Sequence, residues 1–428
     1  MTTLTCAIQL GSSRILAVAA EKDIPKGSLT NIQIESEAST DCISHGRIVN
    51  VEKTAMHIRT LIQKLSNRMR APIAAAYVGV GGMSLHSLVQ QPSVKIPDYD
   101  VLASLPIGQN QHQLVVGEKR IRESIRAAME RAGVRLVDII VLPLATATIL
   151  KNTERQKGCV LVDMGAGTTT VSIYKGGELK HLAVIPLGGE CVTYDIQSAG
   201  CTYEDAERIK RDWSDVTNEV TPESPTGNNP TAMFAEKALP IPQSKLNNIA
   251  LCRYEEIAAN IEHQIEASGF KGQLDAGCIL TGGAAYQNGI TALLLRRLST
   301  TQVESRAYRE SAQLGSDRKP HLTSLLALLS FCSEDCQAPK ATPAVETPRP
   351  VPAPRPVAPQ QPAAVVQNEP SLDIPDREPE PTAPPESEPK TESNPEKKPE
   401  KKPEEEVRSS TTVGEVVTRF IKDLFTGQ

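Results

Sequence analysis

Residues Val160–Tyr174 read VLVDMGAGTTTVSIY. An apolar, β-prone run ends in Asp163, a glycine turn follows at once, and a second β-prone run begins after the threonines. The pattern predicts a β-hairpin whose tip holds an anion. Gly165 and Gly167 let the backbone approach a phosphate closely, because no Cβ stands in the way. Successive amide N–H groups at such a tip form an anion-binding concavity. Thr168 and Thr169 add hydroxyl donors, and Asp163 is a candidate metal ligand shared with the phosphates. Taken alone, the stretch reads equally well as an ordinary hairpin turn, since short glycine motifs recur by chance. Partner loops elsewhere must decide.

Three such partners stand in the chain. Near the N-terminus, TCAIQLGSSRILAVAA from Thr5 predicts a second hairpin with Gly11, Ser12 and Ser13 at its tip. CILTGGAA from Cys278 predicts a strand, a turn at Gly282 and Gly283, and then a helix, where a base or sugar can rest on bare backbone. YEDAERIKRDW, from Tyr203 to Trp213, is helical and sets Glu207 and Lys210 on one face. An i,i+3 surface ion pair is the default reading of those two. Beside three glycine turns they also suit the hydroxyls of a ribose.

The 428 residues do not form one body. About 330 residues up to Cys336 have ordinary globular composition, enough for two α/β cores. Over 337–411 the chain changes: more than half of its 32 prolines lie there among Ala, Glu and Lys. Such a segment buries too little apolar surface to offset its ordering entropy, so it is predicted to be a disordered spacer leaning to polyproline II. A formal charge of −5 gives no reason to expect nucleic acid. Nine cysteines are scattered without metal-like spacing: Cys332 and Cys336 lie four apart, with no second pair to complete a zinc site. An odd count and no signal peptide point to reduced thiols in the cytoplasm. No run of eighteen apolar residues is present.

Past the spacer, VGEVVTRFIKDLF from Val413 restores a helical period. Val413, Val416, Val417, Phe420, Ile421, Leu424 and Phe425 fall on one stripe. An isolated helix this short is marginal in water, so a surface must order it. Two surfaces qualify: a partner's groove, or a membrane interface with the phenylalanines inserted and Arg419 and Lys422 at head-group level.

Two glycine hairpins, a Pro-Leu-Ala helix start, a candidate ribose pair and a Gly-Gly turn occur in the order of the actin-like ATPase superfamily. More narrowly, the sequence resembles the FtsA family of bacterial cell-division proteins. The resemblance is carried by ISHGRIVNVEKTAMHIRTLIQKL, AAAYVGVGGMSLHS, RESIRAAMERAGVRLVDIIVLPLATATIL, VLVDMGAGTTTVSIYKGGELKHLAVIPLGGECVTYDI and CILTGGAAYQNGI, and by the terminal helix. It implies an α/β fold with two RNase H-like domains around a nucleotide cleft. The first domain would span 1–142, with an inserted subdomain at 83–117. The second would span 143–314, with a return to the first at 315–336, the spacer at 337–411 and the helix at 412–428.

The resemblance further implies ATP and Mg²⁺. Gly11, Ser12 and Ser13 would meet phosphate on one side, and Asp163, Gly165, Gly167 and Thr168 on the other, with Asp163 at the metal. Glu207 and Lys210 would meet the ribose, and Gly282 and Gly283 the adenosine. The implied partners are FtsZ polymers, through the helical stretch around Arg253, and lipid, through Val416, Val417, Phe420, Ile421, Leu424 and Phe425. Self-association into filaments is implied too, with the protein peripheral on the cytoplasmic face of the cell membrane at the division site.

Two departures from the family pattern qualify these expectations. Gln9 stands where relatives carry an acid, and an amide supplies no negative charge to Mg²⁺ and no general base. Leu142 stands where hydrolysing relatives often carry Glu. Both argue for slow or absent hydrolysis. The inserted segment, 83–117, is also much shorter than is usual, and QQPSVKIPDYDVLASLPIGQNQHQL reads as a loop. Two other readings remain: a superfamily small-molecule kinase, and a pilus or secretion assembly protein similar to PilM.

Overall fold

The computed structural model describes residues 2–108, 110–217, 231–232, 241–314 and 319–338. The terminal helix at 412–428, and all but the first two residues of the spacer, lie outside them. Among the described residues the strands form two large sheets with a shared plan.

The first sheet is ordered Arg135–Val141, Ala75–Val80, Thr2–Leu10, Arg14–Asp23, Ser28–Ala38. Three of these strands form an antiparallel meander, to which Ala75–Val80 adds in parallel beside Thr2–Leu10 and Arg135–Val141 in parallel beside that. The second sheet repeats the plan. Cys159–Met164, Thr169–Lys175 and Glu178–Ile185 form the meander, and Cys278–Thr281 then Val303–Ser305 add in parallel. Strands buried on both faces read as continuous apolar runs, as VLV and CIL do here. Each glycine tip therefore opens at the end of a buried central strand.

Residues 83–117 differ from the loop that the sequence suggested. They form three antiparallel strands, His86–Gln90, Tyr99–Gly108 and Gln111–Glu118, and this ribbon joins the second sheet where His86 pairs with Ala183. Register shifts at Val101/Ala103 and Pro106/Gly108 interrupt the alternation, and the hairpin bends through Asn110 at a φ of 61°, a left-handed conformation that Asn tolerates.

Helix Val51–Met69 covers the first sheet. Asn50 caps it by accepting from the Lys53 N–H at 3.0 Å, and it ends at Arg70 in the left-handed region. Near the C-terminal end of the described residues, the apolar helix Thr323–Phe331 lays Leu328 against Gly79. Buried Lys22 satisfies its last carbonyls, donating to Leu329 and Cys332 at 2.7 Å and to Ser330 at 2.9 Å. Those carbonyls have no intrahelical partner, and a cation there also suits the helix dipole. Cys336 then bonds to Leu4 and to Ala74, returning the chain to the first sheet.

Candidate functional site

The two hairpin tips meet. A Cβ added to Gly167 would lie 2.5 Å from Ser12 Oγ and 3.7 Å from the Cα of His45. The first tip is closed by the Gly11 N–H on the Arg14 carbonyl at 3.2 Å. It is held from behind by Ser39, whose hydroxyl donates to the Gly11 carbonyl at 2.6 Å and whose N–H donates to the Ser13 carbonyl at 3.1 Å. Ser12 Oγ accepts from the Gly46 N–H at 3.2 Å.

The second tip is closed by Gly165 N–H on the Thr168 carbonyl at 2.9 Å. Its outward carbonyls are not free: Gly189 N–H donates to Gly165 at 3.0 Å and Glu190 N–H to Ala166 at 2.9 Å. These are orphan donors at the start of helix Gly189–Gln197. Gly188 makes the approach possible, since a Cβ there would sit 2.3 Å from the Ala166 carbonyl oxygen. The two glycines of IPLGGE thus fasten a helix end onto the hairpin.

Asp163 lies at the head of that hairpin, paired in register with Thr170 on one side and Thr281 on the other. Ser324 Oγ donates to its Oδ2 at 2.5 Å, and Thr146 Oγ1 lies 3.0 Å from Ser324. Burial pushes the Asp163 carboxyl up from its ordinary value, and the Ser324 bond opposes the shift. Gly282 has a φ of 91°, and a Cβ on it would come within 2.5 Å of Asp163 Oδ1. Only glycine meets both conditions.

Lys210 is not on the surface. It is buried, and its ammonium donates to Glu207 at 2.6 Å, to Thr193 Oγ1 at 2.8 Å and to the Gly189 carbonyl at 2.9 Å. Desolvation lowers its pKa, and the Glu207 charge works against that. The i,i+3 spacing alone would have left this a solvated pair; the fold sets the pair against the start of helix Gly189–Gln197. Glu207 keeps a part-exposed carboxylate. A Cβ on Gly189 would lie 3.6 Å from both Lys210 Nζ and Ala284 Cβ, whereas one on Gly283 would meet nothing within 4 Å. The candidate ribose pair, the second hairpin and the Gly-Gly turn therefore converge on Gly189.

Gln9 and Leu142 occupy the positions where an acid was expected. Gln9 pairs with Leu16 and Gly79 in the sheet, and its Oε1 is buried without a hydrogen-bond partner among the described residues. Leu142 packs on Gly79 and Gly81, with its methyls 3.0–3.4 Å from where their Cβ atoms would be. Sequence reasoning missed Ser39, Thr146, Thr193 and Ser324, because a lone Ser or Thr has no local signature. It also missed His321, whose Nδ1 lies 3.1 Å from the Tyr286 hydroxyl; burial, then Lys319 and Arg14, lower its pKa.

Arg253 lies apart from this site, on helix Gln243–Ala267. It lines a groove of about 480 Å³ with Asp195, Lys245, Ile249, Cys252 and Glu256. Its guanidinium is engaged by both Asp195 oxygens at 2.7 and 3.0 Å and by Glu256 at 2.5 Å. No helix among the described residues is long and apolar enough to cross a membrane.

A family model for the cell division protein FtsA matches residues 160–327, from the second hairpin to the helix carrying Ser324. The cell division protein FtsA of Porphyromonas gingivalis is 30% identical over 345 residues, covering 70% of this chain and 71% of that protein. That of Pseudomonas aeruginosa is 26% identical over 337 residues, covering 67% and 79%. Among solved structures, the PilM-PilN type IV pilus biogenesis complex aligns with a TM-score of 0.56 at 16% identity, over 76% of this chain and 97% of that one. MreB5 of Spiroplasma citri bound to ADP aligns at 0.51 and 14%, over 77% and 96%. At such identities the structural matches establish the fold alone, which is actin-like. Fold and sequence relatives together make this chain a member of the FtsA family of cell-division proteins.

Proposed function

We propose that this chain binds ATP with Mg²⁺ between its two glycine hairpins and tethers FtsZ polymers to the cytoplasmic face of the cell membrane at the division site. The convergence on Gly189 carries the nucleotide part: tip, ribose pair and Gly-Gly turn lie around one glycine. The residues fit such a ligand. Amides at the tips, with Ser12, Ser13 and Thr168, suit phosphate. Glu207 offers a part-exposed acceptor for ribose hydroxyls, and the open face of Gly283 suits the adenosine. Asp163 is the carboxylate that would hold Mg²⁺, with the orphan oxygen of Gln9 as a neutral acceptor for the ion's water shell. Bound Mg²⁺ would neutralise phosphate charge. The actin-like MreB5 structure is itself bound to ADP.

Hydrolysis is slow or absent on this reading. An amide replaces one carboxylate, and Leu142 replaces another with an apolar contact to Gly79 and Gly81. The lobes would divide at 142/143 and 314/315, and self-association into filaments belongs to the same proposal. The groove beside Arg253 is the candidate for the FtsZ contact. Since Arg253 is already held by Asp195, exposed Lys245 on the same groove is the freer cation for an acidic peptide. Membrane attachment is assigned to Val416, Val417, Phe420, Ile421, Leu424 and Phe425. Recruitment of FtsZ to liposomes, with and without ATP and with and without the residues after Ser410, tests all three parts. Recruitment should need the terminal residues; if it survives their removal, the membrane role of the helix is wrong. Failure to co-sediment with FtsZ polymers would favour a PilM-like role.

A further inference from the structure

Away from the cleft, the end of strand Ser28–Ala38 and the start of helix Val51–Met69 bring together three donors of different kinds. Asp41 is exposed, Cys42 is buried and His57 lies between them in exposure, and one donor atom from each falls within 4.8 Å of the other two. We propose that Cys42, His57 and Asp41 form a zinc-binding site, with Glu37 behind the histidine.

The orientation of the imidazole carries the argument. Nε2 faces Asp41 Oδ1 at 4.0 Å, and Nδ1 faces Glu37 Oε2 at 3.9 Å. Both distances are too long for hydrogen bonds. Zinc at ordinary ligand distances sets its donors roughly 3.3–3.8 Å apart, so donors that already lie within 4.8 Å of one another need to close by about 1.5 Å at most. A carboxylate on the far ring nitrogen is the usual device for fixing the tautomer of a metal-bound histidine. Thiolate with imidazole selects zinc over magnesium or calcium, and three protein donors leave a fourth position for water. Exposed Asp41 marks the entry side.

Two lysines compete for the carboxylates, but each takes the other oxygen: Lys53 bonds Asp41 Oδ2 at 2.8 Å and Lys64 bonds Glu37 Oε1 at 2.5 Å. The oxygens turned toward His57 are left for the ion and for the ring. Cys42 is pinned in place, since its carbonyl accepts from Val49 at 2.9 Å and Asn50 at 3.2 Å. Fourteen residues separate Cys42 from His57, so no short spacing announces the site. The helix packing on the strand makes it. Bound zinc would tie the helix to the turn that carries Ser39, the residue that supports the first hairpin tip.

The test uses the full chain, stripped with a chelator and titrated with Zn²⁺ or Co²⁺ alone. One ion per chain is expected, with a thiolate-to-cobalt charge-transfer absorption and a higher melting temperature in zinc. His57→Ala, a change at a partly buried position, should weaken binding more than tenfold, and Cys42→Ser should abolish the charge-transfer band. Glu37→Gln should weaken binding about tenfold. Lys53→Met, which frees Asp41, should tighten it by up to about fivefold. If Co²⁺ gives no thiolate band, or if the band survives in His57→Ala at unchanged affinity, the assignment is overturned. Should Cys42→Ser fail to fold, the His57 and Lys53 variants, which move affinity in opposite directions, still decide.

Discussion

The hairpin at Gly11–Ser13 and the hairpin at Gly165–Thr168 are built on one plan, each at the end of a central strand with a glycine closing the turn on the carbonyl three residues on. They differ in what surrounds them. The second has a carboxylate at its head, held by Ser324, and a helix start bolted to its carbonyls through Gly188 and Gly189. The first has a neutral amide at its head, whose oxygen lacks a partner among the described residues, and it is steadied by the hydroxyl and N–H of Ser39 and by the Gly46 N–H on Ser12. One hairpin has a buried carboxylate at its head and is clasped by a helix start; the other has a neutral amide there and is clasped by Ser39 and Gly46. A repeated backbone plan therefore does not give two equivalent sites. Under the proposed function, this asymmetry favours holding a nucleotide over hydrolysing it quickly.

Closing the space that Gly188 leaves should hit that difference hardest. In Gly188→Ala the new methyl would collide with the Ala166 carbonyl, backbone that cannot swing away. Stability should fall by about 3 kcal/mol, measured by urea unfolding, and nucleotide binding should be lost. If both stay near wild type, the helix clamp is not what defines the second hairpin.

Giving the first hairpin the missing charge should have a smaller effect. Gln9→Glu puts a carboxylate where a buried, unpaired oxygen already stands. The nucleotide-free variant should lose about 1–3 kcal/mol, and Mg²⁺ with ATP should restore most of it in thermal melts. Equal destabilisation with and without Mg²⁺ would show that position 9 does not face the ion.

The smallest effect concerns the charge on the second hairpin. Burial raises the Asp163 pKa in the folded state. An acid so shifted contributes its full stability below its unfolded pKa, about 3.9, and loses it as pH rises through the raised folded value. Nucleotide-free Asp163→Asn should therefore be slightly more stable than the parent at pH 7, with the advantage shrinking as pH falls toward 4. Its ATP binding should lose its dependence on Mg²⁺. Paired pH and Mg²⁺ series in calorimetry would reveal a second metal-ordering acid if that dependence persists.

The glycine turns of the candidate site were legible because each is local. Gly11, Gly165, Gly167, Gly282 and Gly283 sit in turns whose flanking strands announce themselves as apolar runs. The ribbon at 83–117 was not, since two register shifts break its alternation and its place comes from joining the edge of a distant meander at His86 and Ala183. The burial of Lys210 was not legible either, because spacing within a helix says which residues are neighbours and not which face is buried.

The sequence by itself determined the two hairpins, the order of the glycine turns and the family, because each depends on residues close in the chain and on backbone freedom that only glycine supplies. Tertiary structure alone decided that Ser324 holds Asp163 across 161 residues and that Gly189 gathers three motifs. It likewise decided that Cys42 and His57 share a site. Those are contacts between elements, set by how helices pack on sheets, and no local pattern encodes them.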